Sequence, residues 1–351
     1  MTGLDRVPEQ REAKRLLEVA LAQGPAHAYL FHGPRGVGKR GLAWAFAREL
    51  LGTARSVHPD LYELDVLGEM IRIDAIRELR RDLHLRPFEA DRRVYLVLGA
   101  DRMNEDAADA LLKDLEEPPS YAVIVLVADD LGPIPETIRS RCQLVPFRRL
   151  SERAVREALE RRAPDLDEAR RAALARVAAG RLDRLERLLD PDAAGRRATL
   201  LAQARAVYGE AAFDPAAAAA ALVGNARACG ATAKEREEVR VAGLELSARE
   251  AEQRVRRAQH GAEREELLAQ LEELSGWYRD LVAVAVGAEP AAIHVDRLDD
   301  LRTDASRERL LGAERAAEEV RDTWRKLEEF NLAPQLALEA MFVRVSRELH
   351  A

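Results

Sequence analysis

The sequence predicts an α/β domain built on a parallel sheet, followed by a region that is helical to its end. Three observations carry this. A glycine-rich run, GPRGVGK, directly follows a short apolar segment. Two compact apolar runs, Val94–Leu98 and Ala122–Ala128, are separated by a stretch of helical period. Beyond Phe147 only helical patterns remain. Strands that alternate with helices imply a parallel sheet covered on both faces.

Taken in order, Gln10 to Gln23 has the spacing of an amphipathic helix, and Ala28–His32 (AYLFH) is a short strand. Gly41–Leu51 continues as helix after the glycine run, and Leu61–Val66 reads as a second strand. Asp74–His84 places Ile76, Leu79 and Leu83 on one helical face. Glu105–Glu117 is a helix stopped by Pro118 and Pro119. Ser151 has the position of an N-cap for the helices that follow. Breaks are expected near Pro164, Gly180 and Pro191, with Arg170–Leu189 forming a small helical unit. A long helical region from Leu200 has expected turns near Gly224, Gly230, Gly287–Pro290 and Asn331–Pro334. The alanine-rich run Ala216–Leu222 predicts a closely packed helix. The Arg/Glu-dense stretch Lys234–Glu273 predicts the solvated face of an amphipathic helix rather than a coiled coil.

The 351 residues suit two or three domains, and 47% of them are apolar, enough for a sizeable core. The net charge of −7 argues against a protein coated in basic residues for wrapping nucleic acid. Cys142 and Cys229 are the only cysteines, which makes neither a zinc site nor a disulfide framework and fits a reducing cytoplasm. The first twenty residues carry charges throughout and lack the apolar core of a signal peptide. No apolar run approaches the ~20 residues that span a bilayer.

The glycine run is where chemistry enters. Gly33, Gly36, Gly38 and Lys39 follow a strand and open a helix, the setting of a phosphate loop. There the glycines let backbone amides curl around phosphates, and the lysine meets the outer ones. The next residue is normally a Ser or Thr that holds Mg²⁺; here it is Arg40, a cation that repels the metal. The strand that normally ends in an acidic pair ends here in Leu98 and Gly99, so nothing at that position anchors metal or orients water. Asp101, beyond the strand, reads as a cap or a surface charge rather than a displaced metal ligand.

Four segments occur in order: His27–Lys39, the triplet His58-Pro59-Asp60, the block Ala110–Pro119 (ALLKDLEEPP) and the triplet Ser140-Arg141-Cys142. Together they resemble the bacterial clamp-loader ATPase family of DNA polymerase III, which includes the tau/gamma and delta-prime types. Gly276–Asp280 (GWYRD) and Asn331–Val345 resemble segments of that family's C-terminal collar more loosely. The resemblance implies an AAA+ phosphate-loop domain over residues 1–149, a small helical lid over 150–195 and an all-α collar over 196–351 that oligomerises. Active members keep a Ser or Thr after the lysine, an Asp-Glu strand end, a polar residue on the next strand and a lid arginine. Arg40, Leu98-Gly99, Ala128-Asp129 and Asp183 stand at those places.

That pattern resembles the delta-prime type, a stator without its own ATPase activity. The resemblance implies that Arg141, with Arg139 ranked second, acts in trans as an arginine finger on a neighbouring subunit's ATP. It implies tau/gamma and delta subunits as hetero-oligomeric partners, and the sliding clamp and primer-template DNA as contacts made through the complex. It places the chain in the cytoplasm, with no membrane partner. No cofactor is required: at most weak binding of ATP, ADP or phosphate is expected at the loop, and no zinc, since the family's four-cysteine module is missing. Cys142 reads as a small buried filler rather than a reactive thiol. Two other readings stand beside this one. An active tau/gamma-like motor would need the missing hydroxyl and carboxylates. A pure nucleic-acid-binding module would need a basic, aromatic surface pattern that the sequence lacks.

Overall fold

The computed structural model describes residues 3–55, 58–65, 70–209, 213–242, 248–330 and 332–350. Val66, expected as a strand end, and Asn331, expected in a turn, lie outside them. The chain packs as two compact units: Met1–Asp165 with Ala178–Leu185, and Leu166–Val177 with Glu186–Ala351. The helical segment from residue 170 to 189 is divided between the two.

In chain order, the first unit comprises α1 (Arg11–Gln23), β1 (Ala28–His32), α2 (Lys39–Leu51), β2 (Leu61–Asp65), α3 (Ile73–Leu83), β3 (Arg93–Leu98), α4 (Glu105–Glu116), β4 (Ala122–Ala128), α5 (Glu136–Arg139), β5 (Gln143–Pro146) and α6 (Glu152–Arg162). The five strands form one parallel sheet in the order β2-β3-β4-β1-β5. β3 and β4 are buried along their whole length, which is why they read as unbroken apolar runs rather than alternating ones. On one face Tyr29, Phe31, Leu96 and Val125 pack with Leu17 of α1 and Phe46 of α2. On the other, Leu30, Tyr95, Val97 and Ile124 pack with Ile76 of α3 and Leu111 of α4. The fifth strand was not foreseen. It is four residues long, half exposed, and ends in a proline, so it has too little pattern to announce itself.

The caps are those the residue types favour. Asn104 accepts from the Ala107 N–H at 3.1 Å to start α4, and Ser151 accepts from the Ala154 N–H at 3.2 Å to start α6. Asp60, the last residue of the His-Pro-Asp triplet, is fully buried beneath the turn before β3. Its carboxylate accepts the main-chain N–H groups of Phe88, Glu89 and Ala90 at 2.6, 2.8 and 2.9 Å. Burial alone would raise its pKa, but these three bonds hold it below the ordinary carboxylate value. The triplet is a structural clamp.

Of the next two helices, α7 (Glu168–Ala178) belongs to the second unit except for its last residue, and α8 (Leu182–Leu189) is divided between the two. The second unit contains α9 (Pro191–Gly209), α10 (Pro215–Val241), α11 (Ala248–Ala285), α12 (Leu298–Asp304), α13 (Leu310–Glu329) and α14 (Pro334–His350). No turn occurs at Gly224 or Gly230: α10 runs through both. A helical glycine costs about 1 kcal/mol relative to alanine, and packing on α11 overrides it. At Gly230 the absence of a side chain is used, since a Cβ there would stand 2.5 Å from the Glu263 side chain. α10 and α11 are antiparallel, paired by Gln270 Nε2 to the Leu222 carbonyl and by Arg254 to Glu237 at 2.5 Å. The Lys234–Glu273 stretch is therefore not one solvated helix. It is spread over the facing ends of two helices, and Glu237 and Glu266 are buried. Ala218, Ala219 and Leu222 are buried as a closely packed alanine-rich helix requires. Leu338, Met341, Phe342 and Val345 of α14 lie in this unit's own core, while Leu336 is exposed. No helix among the described residues is long and apolar enough to cross a membrane.

The GWYRD segment builds the core of the second unit. Trp277 and Tyr278 are buried, and the indole N–H donates to Tyr208 Oη at 3.1 Å. Asp280, fully buried, accepts the N–H groups of Ile293 and His294 and faces His294 Nδ1 at 2.7 Å. His294 Nε2 faces Glu273 at 3.1 Å, and Arg197 joins Glu273 to Asp296. Burial alone would lower the His294 pKa, but Asp280 and Glu273 raise it above its ordinary value.

Two outcomes are expected. Asp60→Asn leaves three buried N–H groups facing a weaker acceptor and lowers stability by roughly 2–4 kcal/mol. Because the folded pKa of Asp60 is depressed, its contribution is present above about pH 4 and is lost as pH falls through the folded value; urea titrations of both proteins at several pH values measure this. His294 works in the opposite direction. Its raised pKa makes its contribution complete below about pH 6.5 and lost as pH rises through the folded value. The wild-type melting temperature should therefore decline from pH 6 towards alkaline pH more steeply than that of His294→Gln. Parallel melting curves for the two proteins would count against a charged His294.

Candidate functional site

The parallel sheet brings the carboxyl ends of β1, β3, β4 and β5 to one edge, where Gly33, Gly36, Gly38 and Lys39 lie, whereas Arg141 precedes β5 and lies at the opposite, amino edge. Ligands of open α/β sheets bind at the carboxyl edge. The loop between β1 and α2 has Gly33, Gly36 and Gly38 at φ of 135°, 75° and 97°. A Cβ at Gly33 would lie 2.2 Å from the Phe147 carbonyl oxygen, so the loop can pass the end of β5 only as glycine.

Lys39 is 4% exposed. Its ammonium donates to the carbonyls of Gly33 at 2.5 Å and Pro34 at 2.6 Å, and pairs with Asp129 at 2.7 Å. Burial pulls its pKa below the ordinary lysine value against the opposing charges of Asp129, Asp101 and Asp183. Arg40 points away from the loop lysine's contacts, to an exposed ion pair with Asp65 at the end of β2. Asp183 stands over the middle of the loop, where a Cβ on Gly36 would fall 1.7 Å from its Oδ1. It is held there by Arg181, through Nε at 3.1 Å and Nη2 at 2.7 Å, and by Arg35 at 3.6 Å. Leu182 N–H donates to the Gly36 carbonyl at 2.7 Å. Burial raises the Asp183 pKa, but Arg181 and Arg35 bring it below the ordinary carboxylate value.

Asp101 is neither the cap of α4, a role that Asn104 fills, nor a plain surface charge. It sits in a 3-10 turn, and burial followed by the nearby charge of Asp129 raises its pKa. Arg141 follows α5 and is one-third exposed. Its Nη1 donates to the Thr137 carbonyl at 2.9 Å and its Nη2 to Glu116 Oε1 at 2.6 Å, within the LEEPP block. Arg139 turns its Nε inward, where it has no acceptor among the described residues. Cys142 packs against the core, and burial pushes its thiol up to about 12. Among the described residues no group of three or more His, Cys, Asp or Glu side chains could hold a metal ion.

Sequence reasoning missed two further residues. Gln10 donates to the carbonyls of Val37 at 3.3 Å and Arg148 at 2.7 Å and accepts from Arg148 N–H, which ties the loop to the end of the sheet. Glu9 accepts from Ser151 N–H at 3.0 Å and its hydroxyl at 2.5 Å, fastening the start of α6. Both have left-handed φ near 50° although neither is glycine or asparagine, and no periodicity announces that. The role of Asp183 had a faint signal in the charge alternation Arg181-Leu-Asp183-Arg184.

A family model described as "DNA polymerase III, delta subunit" matches residues 9–151. The DNA polymerase III subunit tau of Bacillus subtilis is 31% identical over 168 residues, which are 43% of this chain and 30% of that protein. The subunit delta' of Bacillus subtilis is 33% identical over 150 residues, 38% of this chain and 46% of that protein. The subunit delta' of Pseudomonas aeruginosa is 36% identical over 136 residues, 33% of this chain and 42% of that protein. The chain spans less than half the length of each of these relatives. Over residues 9–151, the segment that holds the phosphate loop and the Arg141 triplet, the chain is similar to clamp-loader subunits of DNA polymerase III.

Proposed function

We propose that this chain is a non-hydrolysing stator subunit of a DNA polymerase III clamp loader, working in the cytoplasm with tau/gamma and delta subunits to load a sliding clamp onto primer-template DNA. The observation that carries this reading is the state of the phosphate loop. Its glycine frame is intact, yet Arg40 is paired with Asp65 and Lys39 is fully engaged by the chain's own oxygens. Neither Mg²⁺ binding nor activation of water has a residue to perform it at the expected positions.

In this reading Arg141 acts in trans. A guanidinium offers two donors in a fixed fork to a neighbour's γ-phosphate, where charge develops during transfer. In the lone chain Glu116 takes one donor of that fork, Nη2, and the Thr137 carbonyl takes Nη1, with the Arg141–Glu116 pair about two-fifths exposed on each side. Exposed pairs of this kind are worth about 0–1 kcal/mol, so a phosphate readily displaces the carboxylate.

The purified chain should show no ATP turnover of its own. Arg141→Ala should assemble normally with partner subunits and lower the DNA- and clamp-stimulated ATPase of the assembly roughly 10³-fold or more. An unchanged rate in an intact assembly sinks the finger, and turnover by the purified chain that disappears in Lys39→Ala points instead to an active motor. For assembly, deletion of the last 21 residues is uninformative because it removes the α14 core. Phe330, Leu332 and Leu336 are exposed at 58%, 41% and 67% around the start of α14. Replacing all three by serine should leave the melting temperature within a few degrees and weaken co-purification with partner subunits at least tenfold; undiminished co-purification removes this patch from the interface.

A further inference from the structure

We propose that Asp129 and Asp183 are built-in counter-anions that take the charge role of a bound phosphate and keep residues 33–39 closed to nucleotide. This deepens the stator reading, which draws on the same Lys39 contacts; nucleotide binding by the wild type overturns this proposal alone, whereas ATP turnover by the purified chain overturns that reading.

An ammonium has three donors. Those of Lys39 are all in use, on Gly33 O, Pro34 O and Asp129 Oδ1. A phosphate oxygen entering the loop therefore meets a lysine with nothing left to donate. The second anion is fastened more firmly. Arg181 grips Asp183 through two nitrogens, Arg35 flanks it, and the neighbouring Leu182 N–H is bonded to the Gly36 carbonyl. Side chain and main chain thus press one segment, residues 181–183, onto the loop at adjacent points. Its carboxylate occupies space beside Gly36 so closely that not even a methyl group fits between them.

The chemistry of exclusion follows. A nucleotide's terminal phosphates are polyanionic near neutral pH, and like charges at close range in a partly buried site repel strongly. Negative charge here is already crowded, since Asp101 next to Asp129 is shifted towards its neutral form first by burial and then by that neighbour. Arg35 and Arg181, the cations that could otherwise receive phosphate, are turned to Asp183 instead. The loop is preformed and self-occupied, and the contacts that occupy it bind residues 181–183 to it without any ligand.

Neutral isosteres give the test. The full-length wild type, Asp183→Asn, and the double variant Asp129→Asn/Asp183→Asn are titrated calorimetrically with ADP, ATP and inorganic pyrophosphate. Magnesium is omitted so that Arg40 does not enter the result. The wild type should show no saturable binding up to about 1 mM, and each variant should gain affinity by at least about tenfold. Adding Lys39→Ala to the double variant should abolish the gain, which assigns the binding to this loop. Melting curves establish that each variant is folded. If the double variant unfolds, Asp183→Asn alone decides. Wild-type binding at micromolar concentration overturns the proposal, and so does a folded variant that remains silent.

Discussion

Lys39 carries a charge that the fold cannot leave uncompensated. The residue opens α2 directly behind β1, with 4% of its surface exposed, and a buried ammonium without acceptors is among the costliest groups a protein can contain. In a phosphate loop the ligand normally supplies the compensating charge. Here two carbonyls of the loop and Asp129 supply it. The conformation of residues 33–39 is thereby coupled to the end of β4, because the same cation bridges both. Once the loop is held this way, the positive φ values of its glycines are maintained by internal contacts and need no ligand to persist.

The surrounding structure is arranged to keep that constraint satisfied. The register of β1 against β4, which pairs His32 with Ala128, brings Asp129 to the lysine. The register of β1 against β5 carries Phe147 against Gly33, so the strand that fixes one wall of the loop also follows directly on the Arg141 triplet. Gln10 and Glu9 close the arrangement from the N-terminal side, one on Val37 and Arg148, the other on Ser151. Both pay a left-handed backbone conformation, of order 1–3 kcal/mol each, which persists because the hydrogen bonds around them over-determine it.

Much of this was legible in the residues, and the reasons it was legible are physical. β3 and β4 announce themselves because strands buried on both faces cannot afford polar residues, and the caps at Asn104 and Ser151 because short oxygens satisfy orphan amides. The loss of the Mg²⁺ ligand at Arg40 could be read from one position. The contacts that engage Lys39 and crowd Gly36 could not, since they depend on residues 90 to 147 positions apart along the chain, from Lys39 and Gly36 to Asp129 and Asp183, meeting at one edge: Asp183 looked only like a missing lid arginine. Gly224 and Gly230 misled for a related reason. Local propensity favours a turn, but the antiparallel packing of α10 on α11 outweighs about 1 kcal/mol per glycine. The apolar face of α14 could be read from its periodicity, but not that the same chain covers Leu338, Met341, Phe342 and Val345 and leaves Leu336 exposed.

Two cations at opposite edges of the sheet, Lys39 after β1 and Arg141 before β5, meet carboxylates of their own chain and differ in burial. Lys39 is buried although Asp129 is about two-fifths exposed, so separating the two leaves a buried ammonium on the Gly33 and Pro34 carbonyls alone. Arg141 and Glu116 meet in water, both partly exposed, where their pairing is worth about 1 kcal/mol or less. The first contact is therefore a fixture and the second an exchangeable one. Arginine suits the exchangeable position for a further reason: it stays charged whatever its surroundings, and its planar fork accepts a carboxylate or a phosphate with the same two-donor geometry. In the chain itself Glu116 takes only one of these donors, Nη2, while Nη1 is held by the Thr137 carbonyl. Lys39 is thus engaged by oxygens around a buried ammonium, and Arg141 by a carboxylate at the surface.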